Sequence, residues 1–182
     1  MLILIVAAAA HGVASRGGNT DALQLQPLGA GGVCPTSHDV NAPHARSAMY
    51  VCPEYAARAC CSEREERVLA DELWMYQSVY ASCSGCYENV RRLKCAIHCS
   101  PDARRFVEVK SAAIIAVRVC PEFCARWSSS CAVSESSSAD AESYAFCATQ
   151  LDSNQAFRVE LSQESCWSSP TAPDACAWVA GA

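Results

Sequence analysis

Apolar and polar positions along this chain fall into short blocks, most with a helical period and two with a strand-like one. Leu69, Leu73, Tyr76 and Tyr80 recur at helical spacing behind Ser62-Glu63-Arg64-Glu65, which has the form of a capping box. The pattern predicts a helix opening after Ser62, with Glu63, Glu65 and Glu66 in its first turn favouring the dipole and facing water. A second helix is predicted from about Gly85 to Cys99. Cys86, Val90, Leu93 and Ile97 form its buried stripe, Cys95 and Cys99 leave one face a turn apart, and Pro101 stops it. "RFVEVK" and "AIIAVRV" read as two short strands, the second nearly all apolar and therefore buried. "CPEFCARWSSSC" reads as a third short helix with Cys120 and Cys124 one turn apart, and "CPEYAARACC" as a turn-and-helix segment. Residues 132–143, rich in Ser, Ala and acids, and "SSPTAPD" after Trp167 read as loops. No internal repeat is visible.

The ends of the chain change the picture. "MLILIVAAAAHGVAS" is an apolar run followed by small residues, with Val13 and Ser15 suited to the minus-three and minus-one positions of a signal-peptidase site. The stretch from Leu2 to Ala10 is far shorter than the ~20 apolar residues of a membrane span, so residues 1–15 are expected to be a secretory signal. Residues 16–33 then form a Gly-rich flexible leader, residues 34–178 a cysteine-rich domain and residues 179–182 a tail. No later segment is apolar enough to span a membrane, and the C-terminus lacks a lipid-anchor tail, so a secreted product without a direct membrane span is expected.

All 14 cysteines follow the expected signal: Cys34, Cys52, Cys60, Cys61, Cys83, Cys86, Cys95, Cys99, Cys120, Cys124, Cys131, Cys147, Cys166 and Cys176. Cys83, Cys86, Cys95 and Cys99, with His98 nearby, have spacing compatible with zinc, and Cys83-Ser-Gly-Cys86 has that of a redox couple. The secreted context and the ten other cysteines favour disulfide staples over both, and no βαβ pattern surrounds the couple. The fold class expected is a small disulfide-rich α+β domain, mainly short helices with a few short strands. A net charge of −5 argues against nucleic acid or an anionic membrane as partner. No Gly-x-Ser-x-Gly elbow, phosphate loop or unpaired nucleophilic cysteine is evident, so neither an enzyme nor a cofactor is expected.

The cysteine order in "CPEYAARACC", "KCAIHCSP" and "VCPEFCARWSSSC", with the acidic helix carrying Asp71, resembles the folate receptor and riboflavin-binding protein family over about Cys52 to Cys131. The tight Cys83-x2-Cys86 spacing is more like the sterol-binding N-terminal domain of Niemann–Pick type C proteins, and the Cys120-x3-Cys124-x6-Cys131 element with Trp127 returns to the folate-receptor pattern. The resemblance implies the pairs Cys34–Cys60, Cys52–Cys95, Cys61–Cys99, Cys83–Cys147, Cys86–Cys131, Cys120–Cys176 and Cys124–Cys166.

The same resemblance implies a site. In folate receptors a helix carboxylate bonds the pterin while aromatic side chains sandwich it, and Asp71 falls at the matching position. Trp74 is its i+3 neighbour, and Tyr55, Tyr76 and Tyr80 offer flat stacking surfaces. Trp127 lies in the matching later element, and Trp167 is the late aromatic if the alignment shifts to Cys166. The tryptophan-rich loop of folate receptors has no counterpart in "AVSESSSADAESYAF", and Leu151 occupies the offset of the late tryptophan if Cys147 is the equivalent cysteine. The alternative for Asp71 is a solvated helix position, and for the aromatics the core. Two functions follow: a secreted binding protein for a small ligand (folate, riboflavin or a sterol-like molecule), or an extracellular protein-interaction module on the same scaffold. An exposed aromatic patch favours the second; a concave aromatic cleft around Asp71 favours the first.

Overall fold

The computed structural model describes residues 33–168 apart from 82, 112–113, 132–138 and 152–156. The expected signal, most of the leader, the tail, Cys176 and most of "SSPTAPD" lie outside them. Helix α1 (Glu63–Val79) opens on the capping box read from the sequence: Ser62 accepts from the Glu65 main-chain N–H, and the Glu65 side chain accepts from the Ser62 main chain. Such a cap contributes about 1 kcal/mol. Leu69, Leu73 and Tyr76 form its buried stripe. At ~2 kcal/mol per buried leucine, this stripe outweighs the cap in holding α1 to the core.

Helix α2 (Ser84–Cys99) is the centre of the domain. Ten of its sixteen residues are buried, and it has no side-chain N-cap. Disulfides hold it instead: Cys86–Cys131 ties it to the end of the third helix, while Cys52–Cys95 and Cys61–Cys99 tie it to the segment preceding α1. Cys34–Cys60 fastens the N-terminal loop. These four bridges are those the resemblance implied.

Strands β1 (Val107–Ser111) and β2 (Ile114–Val119) pair antiparallel, and the chain then passes through α3 (Pro121–Ser130) and α4 (Ala139–Leu151) before β3 (Phe157–Leu161) pairs parallel to β2. The sheet order is β1-β2-β3. β2 is buried at Ala116, Val117 and Val119 and more open elsewhere. The core joins the α1 and α2 stripes to Val117, Val119, Phe123, Trp127, Phe146, Leu151 and Val159. Among the described residues this gives four α-helices, a three-stranded sheet and six disulfides, the disulfide-rich α+β class expected.

Three sequence expectations are corrected. The loop read over 132–143 gives way to helix from Ala139, because Phe146 packs edge-on against Trp127 and Cys147 is bridged to Cys124, both on α3. Cys124 therefore pairs with Cys147, not Cys166. The parallel β3 carries the chain back beside β2, where Trp167 exchanges main-chain hydrogen bonds with Arg118 and Cys120, so Cys120 pairs with Cys166, not Cys176. Cys83 is disulfide-bonded too, but not to Cys147. Finally, Glu66 does not face water. It is fully buried, accepts from the Val51 and Cys52 main-chain N–H groups, and lies 2.7 Å from the Arg46 guanidinium. That guanidinium lies off the hydrogen-bonding direction of Oε2, so it neutralises charge rather than donating to it.

Candidate functional site

One charged pair joins α1 to α2 within the buried faces of the two helices. Lys94 projects from the buried arc of α2, its side chain wholly inaccessible, and Nζ lies 2.6 Å from Glu72 Oε1 on α1. The ammonium also lies 4.5 Å from the Phe157 ring centroid and 5.9 Å from that of Tyr76. A carboxylate and two ring faces replace the water an ammonium loses on burial. Lys94 has three N–H donors but, among the described residues, only this one hydrogen-bond acceptor.

His98 follows Lys94 by one turn and meets Phe157 edge-on at 6.0 Å between centroids. Burial pushes its pKa down to about 4 and the Lys94 charge acts in the same direction, against the opposing pull of Glu72 and Glu65. Protein surrounds the ring deeply enough to depress its pKa, yet the residue retains accessible surface. His98 thus sits at the edge of the core, beside Lys94 on α2 and Phe157 on β3. At the first turn of α1, burial alone would raise the Glu65 carboxyl. Hydrogen bonds from the Ser62 main chain, the Ser37 hydroxyl and the His38 main chain win and hold it below the usual carboxylate range. At the far end of α1, the hydroxyls of Tyr76 and Tyr80 donate to the main-chain oxygen and Oε1 of Gln150, fastening α4 to α1.

The residues singled out from the sequence do not gather in one place. Asp71 is exposed on α1 and has no hydrogen-bond or ion-pair partner among the described residues. Trp74 beside it is 68% exposed. Tyr76 is buried beneath them and Tyr80 partly so, both facing α4. Trp127 is in the core against Phe123 and Phe146. Tyr55 and Trp167 do meet, lining a separate cleft with Ser100, Asp102 and Arg105.

Sequence reasoning passed over Lys94, Glu72 and Phe157. The signal for the first two lay in the periodicity: Lys94 is four residues after Val90, and Glu72 is three after Leu69 and four before Tyr76, so each falls beside or within an apolar arc. That they meet, and that Phe157 covers them, depends on tertiary packing. Nothing in the local sequence around residue 157 announces it.

Among the described residues no helix is long and apolar enough to cross a membrane. Comparison with known protein families matches residues 32–156 to the family model described as Niemann-Pick C1 N terminus. The matched span holds all four helices, β1 and β2, both sides of the Lys94–Glu72 pair, and the tight Cys83-x2-Cys86 spacing. Of the two families that the cysteine order resembles, the match is to the second. It covers more than two thirds of the chain, and the protein belongs to the Niemann-Pick C1 N-terminal domain family.

Proposed function

We propose that this is a secreted, non-catalytic binding domain for a sterol or a similar amphipathic small molecule, held in a crevice that opens between α1, α2 and β3 on binding, with its hydroxyl against the Lys94–Glu72 pair. Family membership supports the extracellular or lumenal ligand-binding class. The observation that carries the finer reading is the buried ammonium of Lys94, which among the described residues has one hydrogen-bond acceptor for its three donors. A buried site of that kind suits a ligand that is mostly hydrocarbon with one polar end. A flat vitamin such as a pterin or flavin anchored by Asp71 has less support, since Asp71 and Trp74 both stand exposed on α1.

The test is titration of the oxidised, secreted protein with a fluorescent sterol, repeated on the double variant Glu72→Gln, Lys94→Met, which leaves no lone buried charge. Saturable binding that weakens about tenfold or more in the variant is expected, since a charge-assisted hydrogen bond is lost. Absence of saturable binding by correctly bridged protein, or equal binding by the variant, refutes the reading.

One observation favours the interaction-module alternative. The outer face of α1 presents Val68 (64% exposed), Trp74 (68%), Met75 (53%) and Val79 (73%) together. Apolar exposure concentrated on one helix face marks a contact surface more often than chance. A photo-crosslinking residue at position 74 should then yield one discrete adduct with an extracellular protein, lost when Met75 and Val79 are both changed to Ser. A diffuse smear that ignores those changes counts against it.

A further inference from the structure

The cleft where Tyr55 meets Trp167 is built from residues other than those of the crevice and requires its own account. We propose that it binds a small flat heteroaromatic molecule carrying one carboxylate. Its volume is about 480 Å³, which falls in the usual range for small-ligand pockets and admits a two-ring system. Its walls are the turn at Pro53–Tyr55, residues 100–106, and residues 163–168 that follow β3.

Both aromatic side chains are held before any ligand arrives. Burial pushes the Tyr55 pKa up to about 12, so it remains a neutral ring at physiological pH. Trp167 is held through its main chain, its N–H donating to Arg118 and its carbonyl accepting from Cys120, while its ring meets Phe123 edge-on at 4.6 Å. The neighbouring Cys166 is bridged to Cys120, and Ser165 sits at φ 51, a left-handed conformation that a non-glycine residue adopts only when its surroundings impose it. Rings fixed in this way lose little freedom when a flat ligand lies against them.

Charge narrows the ligand class. Arg105 lines the cleft, is exposed, and like several other arginines has no carboxylate partner among the described residues; it is the one arginine among the residues that line this cleft. A planar guanidinium open to a cleft matches a carboxylate in two-point geometry. Asp102 on the same wall disfavours a second negative charge and offers an acceptor to a ring N–H.

The test uses calorimetric titration of the oxidised protein with quinoline-4-carboxylate and with its neutral isostere, quinoline-4-carboxamide. The carboxylate should bind saturably at one site and about tenfold more tightly than the amide. Arg105→Gln, an exposed substitution that leaves the core untouched, should abolish that preference, and Tyr55→Leu should weaken both ligands. A saturating sterol should leave both titrations unchanged. No saturable binding of either probe to folded protein overturns the proposal, as does an unchanged preference in Arg105→Gln or competition by the sterol. Failure of sterol binding alone refutes the crevice reading and leaves this one standing.

Discussion

Acidification should weaken this fold through His98 before it weakens it through any carboxylate. The imidazole faces Lys94 from its own helix, Glu65 and Glu72 from α1 and Phe157 from β3, and its pKa in the fold is about 4 against the ordinary 6.5. A base with a depressed folded pKa binds more protons when unfolded, so stability is fully present above the unfolded value and is lost as pH falls toward the folded one. A difference of two to three pKa units gives about 2 kcal/mol lost between pH 7 and pH 5, and about 3 kcal/mol by pH 4. Carboxylates held below their usual range, Asp39, Glu65, Glu88 and Glu108, act in the same direction but only from their unfolded values near pH 4 downward. The window between pH 6.5 and pH 5 therefore isolates the imidazole. Urea unfolding with bridges intact, followed by tryptophan fluorescence at pH 7 and pH 5, should show that drop in the parent chain. His98→Gln, which cannot titrate, should lose almost none of its stability over the same interval. Equal pH dependence in the two proteins refutes the assignment.

Four further outcomes follow from the same physics. Peptide mapping under non-reducing conditions should recover Cys120–Cys166 and Cys124–Cys147 as linked fragments. Changing Cys124 and Cys147 together to Ala should cost about 3 kcal/mol of unfolding free energy, from loop closure over 23 residues. Glu66→Ala should cost about 3–5 kcal/mol in urea unfolding, because it strands the Arg46 charge and leaves the Val51 and Cys52 N–H groups without their acceptor. Trp127→Phe should cost only about 1 kcal/mol, well below the usual cost of trimming a core tryptophan, since among the described residues the buried indole N–H has no hydrogen-bond partner to lose.

What could be read from the chain was what local forces decide. The capping box and leucine stripe of α1, the buried stripe of α2 and the short α3 follow from neighbours within a turn or two, and each formed where its spacing placed it. Residues 139–151 carry no comparable stripe. They fold as α4 because α3 supplies a disulfide and the Trp127 face, contacts invisible to periodicity. β3 is a parallel partner of β2 reached only through two helices, and it is what reorders the later cysteines. Burial of Glu66 was illegible for the same reason: its neutralising Arg46 and the Val51 and Cys52 N–H groups come from a loop that approaches α1 only in the folded chain.

The domain buries two oppositely charged pairs, and their surroundings separate their roles. Glu66 is answered from the loop before α1: two main-chain N–H groups bond one oxygen, and the Arg46 guanidinium neutralises the other from 2.7 Å. The carboxylate fixes that loop against the helix. Lys94 is the reverse case. One carboxylate oxygen accepts from it, ring faces cover the rest, and its remaining donors have no acceptor among the described residues. Replacing a buried ion pair by apolar side chains of similar volume is commonly neutral or stabilising. Under the proposed reading, the polar end of the ligand takes up the hydrogen-bonding capacity that Lys94 leaves unused. Arg105 in the second cleft likewise has no carboxylate partner among the described residues, but it stands exposed, where water already serves its donors, so its place in the cleft and not its lack of a partner argues for a ligand.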